Sequence, residues 1–304
     1  MRPPHQSRES QEDPLHFADW LTLVGFLGSA SDALQTVKSQ TPPKDSKTSD
    51  AEWLTLIQPA LDFVNKLSDR ENTTPQIRKL EPKYDDRVAS LQSEPTFQEH
   101  LVGVSQWQFA WIELAKLHCF QPQLNWEYLL QQEKVAPPPG DVEALLKYSL
   151  PTKSEKRKTE LLGGFNPLTS TLFVVSENLD LRVVGNAQAE DPNTGRRILG
   201  FAYDFGLPQI SVVNYKGLFL IKNGYHRAFA LLRAGHEYVP CLIVRTDSFQ
   251  FTGAQAQGFF GIDLLTSARS PLLSDFDSAA AFLVPRRRVR VMVTVHAETQ
   301  VVPV

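Results

Sequence analysis

The stretch Ile210-Ser211-Val212-Val213-Asn214-Tyr215-Lys216-Gly217-Leu218-Phe219-Leu220-Ile221-Lys222-Asn223-Gly224-Tyr225-His226-Arg227 decides how the second half of this chain folds. Ile210 to Asn214 and Leu218 to Lys222 are short β-branched and apolar runs, and Tyr215-Lys216-Gly217 between them is a tight turn, so the pair predicts a hairpin. Asn223-Gly224 is a second turn signal, because both residues tolerate positive φ. Tyr225-His226-Arg227 then opens a helix, Ala228 to Ala234, whose apolar face is Phe229, Leu231 and Leu232. Gly235 stands where a C-terminal glycine cap belongs. Val239 to Val244 is the next strand.

A glycine turn feeding a helix N-terminus exposes unpaired backbone N–H groups and the positive end of the helix dipole, which makes a ready anion site. Asn223, Gly224, Tyr225, His226 and Arg227 are therefore the candidate phosphate- or nucleotide-binding residues. Arg227 offers a planar fork suited to phosphate. His226 is the candidate catalytic residue, as a proton donor or as a further hydrogen-bond donor to the anion. Each has an ordinary reading beside the functional one: Arg227 as the partner of an acidic side chain, His226 as a donor to a backbone carbonyl, and Asn223 as a turn former.

The order Gly206-Leu207-Pro208-Gln209, strand, Lys216-Gly217, strand, Asn223-Gly224-Tyr225-His226-Arg227, helix, Gly235, Val239-Pro240 and strand resembles the ParB/sulfiredoxin-like superfamily. The resemblance covers roughly residues 200–245. Gly224 and Arg227 match the Gly-x-x-Arg signature with which members of that family hold nucleotide or phosphate. It implies a nucleotide ligand, CTP or ATP with Mg, at this turn. Sulfiredoxins carry a reactive cysteine where Tyr225 stands, so sulfinic acid reduction is not implied. The Glu-Asn-x-x-Arg box of the partition proteins is missing after Val244; Glu177-Asn178-Leu179-Asp180-Leu181-Arg182 lies on the wrong side of the motif.

Working outward, helical spacing of apolar residues marks Pro14 to Val37, Ala51 to Leu67, Tyr84 to Leu91, Thr96 to Cys119 and Leu124 to Gln132. Ala136-Pro137-Pro138-Pro139-Gly140 breaks the pattern, and Asp141 is placed to cap a helix ending at Tyr148. Beyond it, Leu172 to Val175, Leu181 to Val184 and Val289 to Val295 read as strands. The expected fold is thus α+β, with a helical N-terminal half followed by a ParB/sulfiredoxin-like mixed α/β domain. The boundaries are a tail at 1–13, a helical domain at 14–136, a linker at 137–158 and the ParB-like domain at 159–304.

The chain has 304 residues, 42% of them apolar and 21% charged, with a formal net charge of -3. That composition fits a globular protein, and the charge disfavours generic coating of DNA, which draws on a basic surplus. The polar N-terminus is unlike a signal peptide, and Trp20 to Gly28 is about half the length that crosses a bilayer, so no membrane contact is expected and a cytoplasmic location is. Cys119 and Cys241 lack metal-ligand spacing and read as buried hydrophobes. Asp263, Asp275 and Asp277 show no metal-site spacing, and no metal is assigned. Arg196 and Arg197 are accessory basic candidates, and Arg286 to Arg290 form a second basic cluster. Trp107, Phe109, Trp111 and Trp126 suit a core or a docking surface for a protein partner.

Three functions follow from these residues. The first is binding of a nucleotide or other phosphate-bearing ligand, with phosphoryl-transfer or phosphodiester chemistry. The second is a non-catalytic interaction or regulatory protein that keeps the fold without the chemistry. The third is a DNA nickase, which requires a basic stripe joining Arg196, Arg197 and Arg227. A fold likeness does not choose among them.

Overall fold

A computed structural model describes residues 17–41, 48–70, 73–94, 97–98, 101, 104, 106–152, 162–176, 181–204, 208–255, 258–288 and 291–296. The expected tail at 1–13, the last residues of the expected linker, 153–158, and Gly206-Leu207 lie outside them.

The expected helical N-terminal half is not there: helices are spread along the chain, and four small sheets alternate with them. The run predicted as a helix from Pro14 starts instead as β1 (Phe17–Thr22), and only later becomes α1 (Ala30–Gln40). Ser29 caps α1 reciprocally with Asp32, a capping box that satisfies two end donors at once. α2 (Asp50–Asn65) carries the same device at Ser49 and Glu52. After β2 (Ile77–Lys79) and α3 (Asp85–Gln92) comes the larger correction. The helix expected from Thr96 to Cys119 holds a strand, β3 (Trp107–Glu113). Its aromatic and β-branched residues suit a pleated surface, and pairing on both edges overrides their helical spacing.

β4 (Gln123–Asn125) runs directly into α4 (Trp126–Val135), and α5 (Val142–Ser149) follows, its first turn capped by Asp141 accepting from the Ala144 N–H at 3.0 Å. Next lies an all-β segment: β5 (Leu162–Asn166), β6 (Thr171–Ser176), β7 (Arg182–Glu190) and β8 (Arg197–Asp204). The chain then returns to the body through β9 (Ser211–Tyr215), β10 (Leu218–Asn223), α6 (Tyr225–Arg233) and β11 (Tyr238–Thr246). Two short helical turns at Phe249–Thr252 and Ile262–Leu265 lead to β12 (Phe282–Arg287) and β13 (Val291–His296).

The five-stranded sheet has the order β10-β9-β11-β3-β2. β11 is parallel to β9 and antiparallel to β3, with Leu242 opposite both Ser211 and Phe109. A second sheet, β12-β1-β4, sets Trp20 opposite Val284 and Asn125. Strands from both sides of the expected boundary therefore share two sheets. The main core lies between the five-stranded sheet and α6, around Ile112, Val212, Ile221, Phe229 and Cys241, all nearly solvent-free. A smaller core joins Phe97, Trp107 and Phe109, whose rings meet at 5.2 and 5.5 Å. Cys119 and Cys241 are free and buried, and burial pushes both thiols up. Among the described residues, no helix is long and apolar enough to cross a membrane.

Candidate functional site

The hairpin of β9 and β10 turns through Lys216 (φ 51°) and Gly217 (φ 92°), as the sequence leads one to expect. β10 ends at Asn223, and Gly224 takes φ 87° as the N-cap of α6. A Cβ at Gly224 would stand 2.9 Å from Ile210 Cγ1 and 3.3 Å from Arg227 Nη2, so the position demands glycine by both conformation and space. The Gly224 N–H donates to Asn223 Oδ1 at 2.7 Å, and Asn223 Nδ2 donates to the Gln209 carbonyl at 3.4 Å.

The next three side chains each reach a different segment. Tyr225 is buried, and its hydroxyl accepts from the Phe120 N–H at 3.1 Å and the Gln121 N–H at 3.4 Å. Burial, reinforced by the Cys119 thiol, holds that phenol well above its ordinary pKa. His226 Nε2 accepts the Asn125 N–H at 2.9 Å, which puts the proton of the neutral ring on Nδ1. Burial and the adjacent Arg227 charge pull its pKa down to about 4. Its ring packs edge-on against Tyr128 at 4.8 Å. Arg227 Nη1 donates to the Tyr148 carbonyl at 3.0 Å and Nη2 to the Pro208 carbonyl. Burial lowers its pKa from the usual guanidinium value.

Tyr148 and Pro208 lie where the all-β segment leaves and re-enters the body. Two further bonds close the same junction: Ile210 N–H to the Ser149 carbonyl at 2.8 Å, and Gln209 Nε2 to the Pro151 carbonyl at 2.9 Å. Sequence reasoning missed these partners. They are backbone carbonyls, three of them on the far side of the all-β segment from their donors, and side-chain identity carries no signal for them. Ser149 Oγ and Gln209 Oε1 are buried at this junction without a hydrogen-bond partner among the described residues.

Arg196 and Arg197 are exposed at the turn of the β7–β8 ribbon, in a sheet separate from the one that carries α6. Arg286 lies over the Trp20 ring at 4.9 Å and donates to Gln123, and Arg288 donates to the Phe17 carbonyl at 3.1 Å and pairs with Glu127. Asp275 is paired with Arg70. Among the described residues, no three His, Cys, Asp or Glu side chains are grouped to hold a metal ion.

A small cavity of about 60 Å³ lies elsewhere, inside the all-β segment, between the sheet β13-β6-β5 and the ribbon β7-β8. Its walls include Leu172, Val174, Val183, Phe201, Tyr203 and Val293. No protein-family model, curated protein or solved structure matches this chain.

Proposed function

We propose that this chain is a non-catalytic interaction protein, acting in the cytoplasm, that keeps a strand–glycine turn–helix unit of the ParB/sulfiredoxin type for structure and not for chemistry. One observation carries the reading: the side chains of Asn223, Tyr225, His226 and Arg227 all bond the protein's own backbone. A general acid needs a proton within reach of a substrate. His226 presents an acceptor to Asn125, and the fork of Arg227 is engaged on two carbonyls.

The interacting element in this reading is the all-β segment. Ten of the fifteen large apolar side chains exposed among the described residues belong to β5 to β8, their turns and β13, including Leu162, Phe165, Leu168, Leu199, Tyr203 and Met292. Concentration of exposed apolar side chains in one segment supports a contact surface there, whereas residues scattered singly carry no message.

A second reading, a phosphate-bearing ligand at Gly224–Arg227, has its own support. No side chain caps the first turn of α6, and among the described residues no carboxylate pairs with Arg227. A partly buried cation without a counter-ion favours an anion beside it. Thermal-shift measurements with CTP, ATP, GTP and their diphosphates, with and without magnesium, separate the two. The interaction reading expects no stabilisation by any of them. A nucleotide that raises the melting temperature of the wild type and fails with Arg227→Lys transfers the conclusion to the ligand reading.

A further inference from the structure

The β7–β8 ribbon has two free edges among the described residues, since its sheet contains only those two strands. A two-stranded ribbon is marginal by itself in water. Its β7 edge is interrupted by a register shift between Val183 and Gly185, and a bulge of this kind discourages further pairing. The β8 edge has no such protection. Between Arg197 and Asp204 it contains neither proline nor charge, and Leu199, Phe201 and Tyr203, alternate residues on one face, are 65%, 37% and 47% exposed.

We infer that this edge pairs antiparallel with β8 of a second copy of the chain, building a four-stranded sheet β7-β8-β8-β7 across a two-fold axis. The inference rests on the interaction reading above and names its partner. A two-fold axis normal to a sheet keeps every side chain on its own face, so paired positions must differ by an even number. Centring the axis on Gly200 sets Leu199 opposite Phe201 of the second copy, and Phe201 opposite its Leu199. Such directly opposed apolar and aromatic pairs are the unit of sheet stabilisation.

Charge favours the same arrangement. β8 starts at Arg197, directly after Arg196, and closes at Asp204. Antiparallel self-pairing places position 196 opposite position 204 and Arg197 opposite Tyr203, a cation against an aromatic ring. Parallel pairing would put Arg196 and Arg197 beside their own counterparts. A foreign strand has no built-in match to this pattern, whereas a second copy supplies it.

Analytical ultracentrifugation of the full chain across the micromolar range tests the inference, together with two variants. The wild type is expected to dimerise. Leu199→Lys, at a position already exposed, should weaken the dimer about tenfold or more by adding a charge to the edge. Gly200→Cys places a thiol on the two-fold axis. Since Cys119 and Cys241 are both buried, mild oxidation should then give a disulfide-linked dimer. A wild type that stays monomeric overturns the inference, as does a dimer indifferent to Leu199→Lys that gives no cross-link at position 200. These outcomes are independent of the nucleotide screen. A monomer that no nucleotide stabilises ends the self-pairing and leaves the interaction reading in place, and a dimer stabilised by a nucleotide does the reverse.

Discussion

Arg227 Nη1 donates to the Tyr148 carbonyl at 3.0 Å, tying the first turn of α6 to the last turn of α5 across 79 residues of sequence. The other arm of the same guanidinium holds Pro208. One side chain thus clasps the exit and the re-entry of the whole all-β segment. That is an unusual duty for an arginine in a glycine-led helix turn, where an anion is the more familiar partner.

Removing the clasp should cost stability whether or not a ligand exists. Hydrogen bonds from a charged donor contribute about 1.5–3 kcal/mol, and Arg227→Ala leaves two carbonyls without their donor. Loss of about 2–4 kcal/mol is expected, read as a lower urea midpoint. Arg227→Lys should recover only part of it, because an ammonium cannot span two carbonyls as the planar fork does. An Arg227→Ala midpoint equal to the wild type would show that the junction is held without it.

Acid should weaken the fold through two histidines. His226 and His118 are both depressed to about 4 in the folded state: His226 by burial and Arg227, His118 by burial and the charge of Arg70. The unfolded chain takes up these protons near pH 6.5 and the folded chain only near 4. Stability from the neutral rings is therefore complete above about 6.5 and is lost as the pH falls toward 4, by on the order of 3 kcal/mol for each ring. His226→Gln supplies a neutral acceptor for the Asn125 N–H that does not titrate. Urea midpoints at pH 7 and pH 5 should differ less in that variant than in the wild type, and an unchanged pH dependence would remove His226 from the account.

Local signals in the sequence were legible where turn chemistry dominates. Lys216-Gly217, Asn223-Gly224 and Gly235 all take positive φ at one or both residues, and the elements between them follow. The strand β3 was not legible, because Trp107, Ala110 and Trp111 satisfy helical spacing as well as a sheet position, and only pairing with Val244, Cys241 and Pro240 decides between them. β1 failed for the same reason, with its partner β12 some 265 residues away. At the turn itself the residue types Asn, Tyr, His and Arg were readable, but their partners are backbone groups brought in by tertiary structure. Identity told which groups would be there, not that they would face inward.

Gly224→Ala should be costlier than a change at the neighbouring hairpin glycine. Both positions hold positive φ, 87° at Gly224 and 92° at Gly217, and that strain alone costs an L-residue about 1–2 kcal/mol. At Gly217 nothing stands within 4 Å of the added methyl, while at Gly224 it meets Ile210 Cγ1 at 2.9 Å. The excess loss in Gly224→Ala over Gly217→Ala, expected at about 1–3 kcal/mol, measures the close approach of Ile210 to the start of α6. Equal losses would mean that Ile210 moves aside freely.

A buried ion pair, Arg70 with Asp275, should be more sensitive still. Asp275 accepts from Arg70 Nη1 at 2.9 Å and Nη2 at 2.7 Å, and its Oδ2 also takes the Leu272 N–H at 2.7 Å. Both side chains are largely shielded, at 13% and 7% exposure. Arg70 further donates to the Ser270 carbonyl at 3.1 Å, and Ser270 Oγ meets His118 Nδ1 at 2.8 Å, so the pair anchors a network joining α2's exit to the loop before β12. Asp275→Ala strands a buried guanidinium and should cost about 3–5 kcal/mol. Asp275→Asn keeps an acceptor for Arg70 and should cost less. The double variant Arg70→Met, Asp275→Leu removes both charges and should regain most of the loss, since an apolar pair of similar volume replaces a buried ion pair at little cost. If the double variant is as unstable as Asp275→Ala, the bonds to Leu272 and Ser270 matter more than the charge pair, and the loop geometry is what Asp275 maintains.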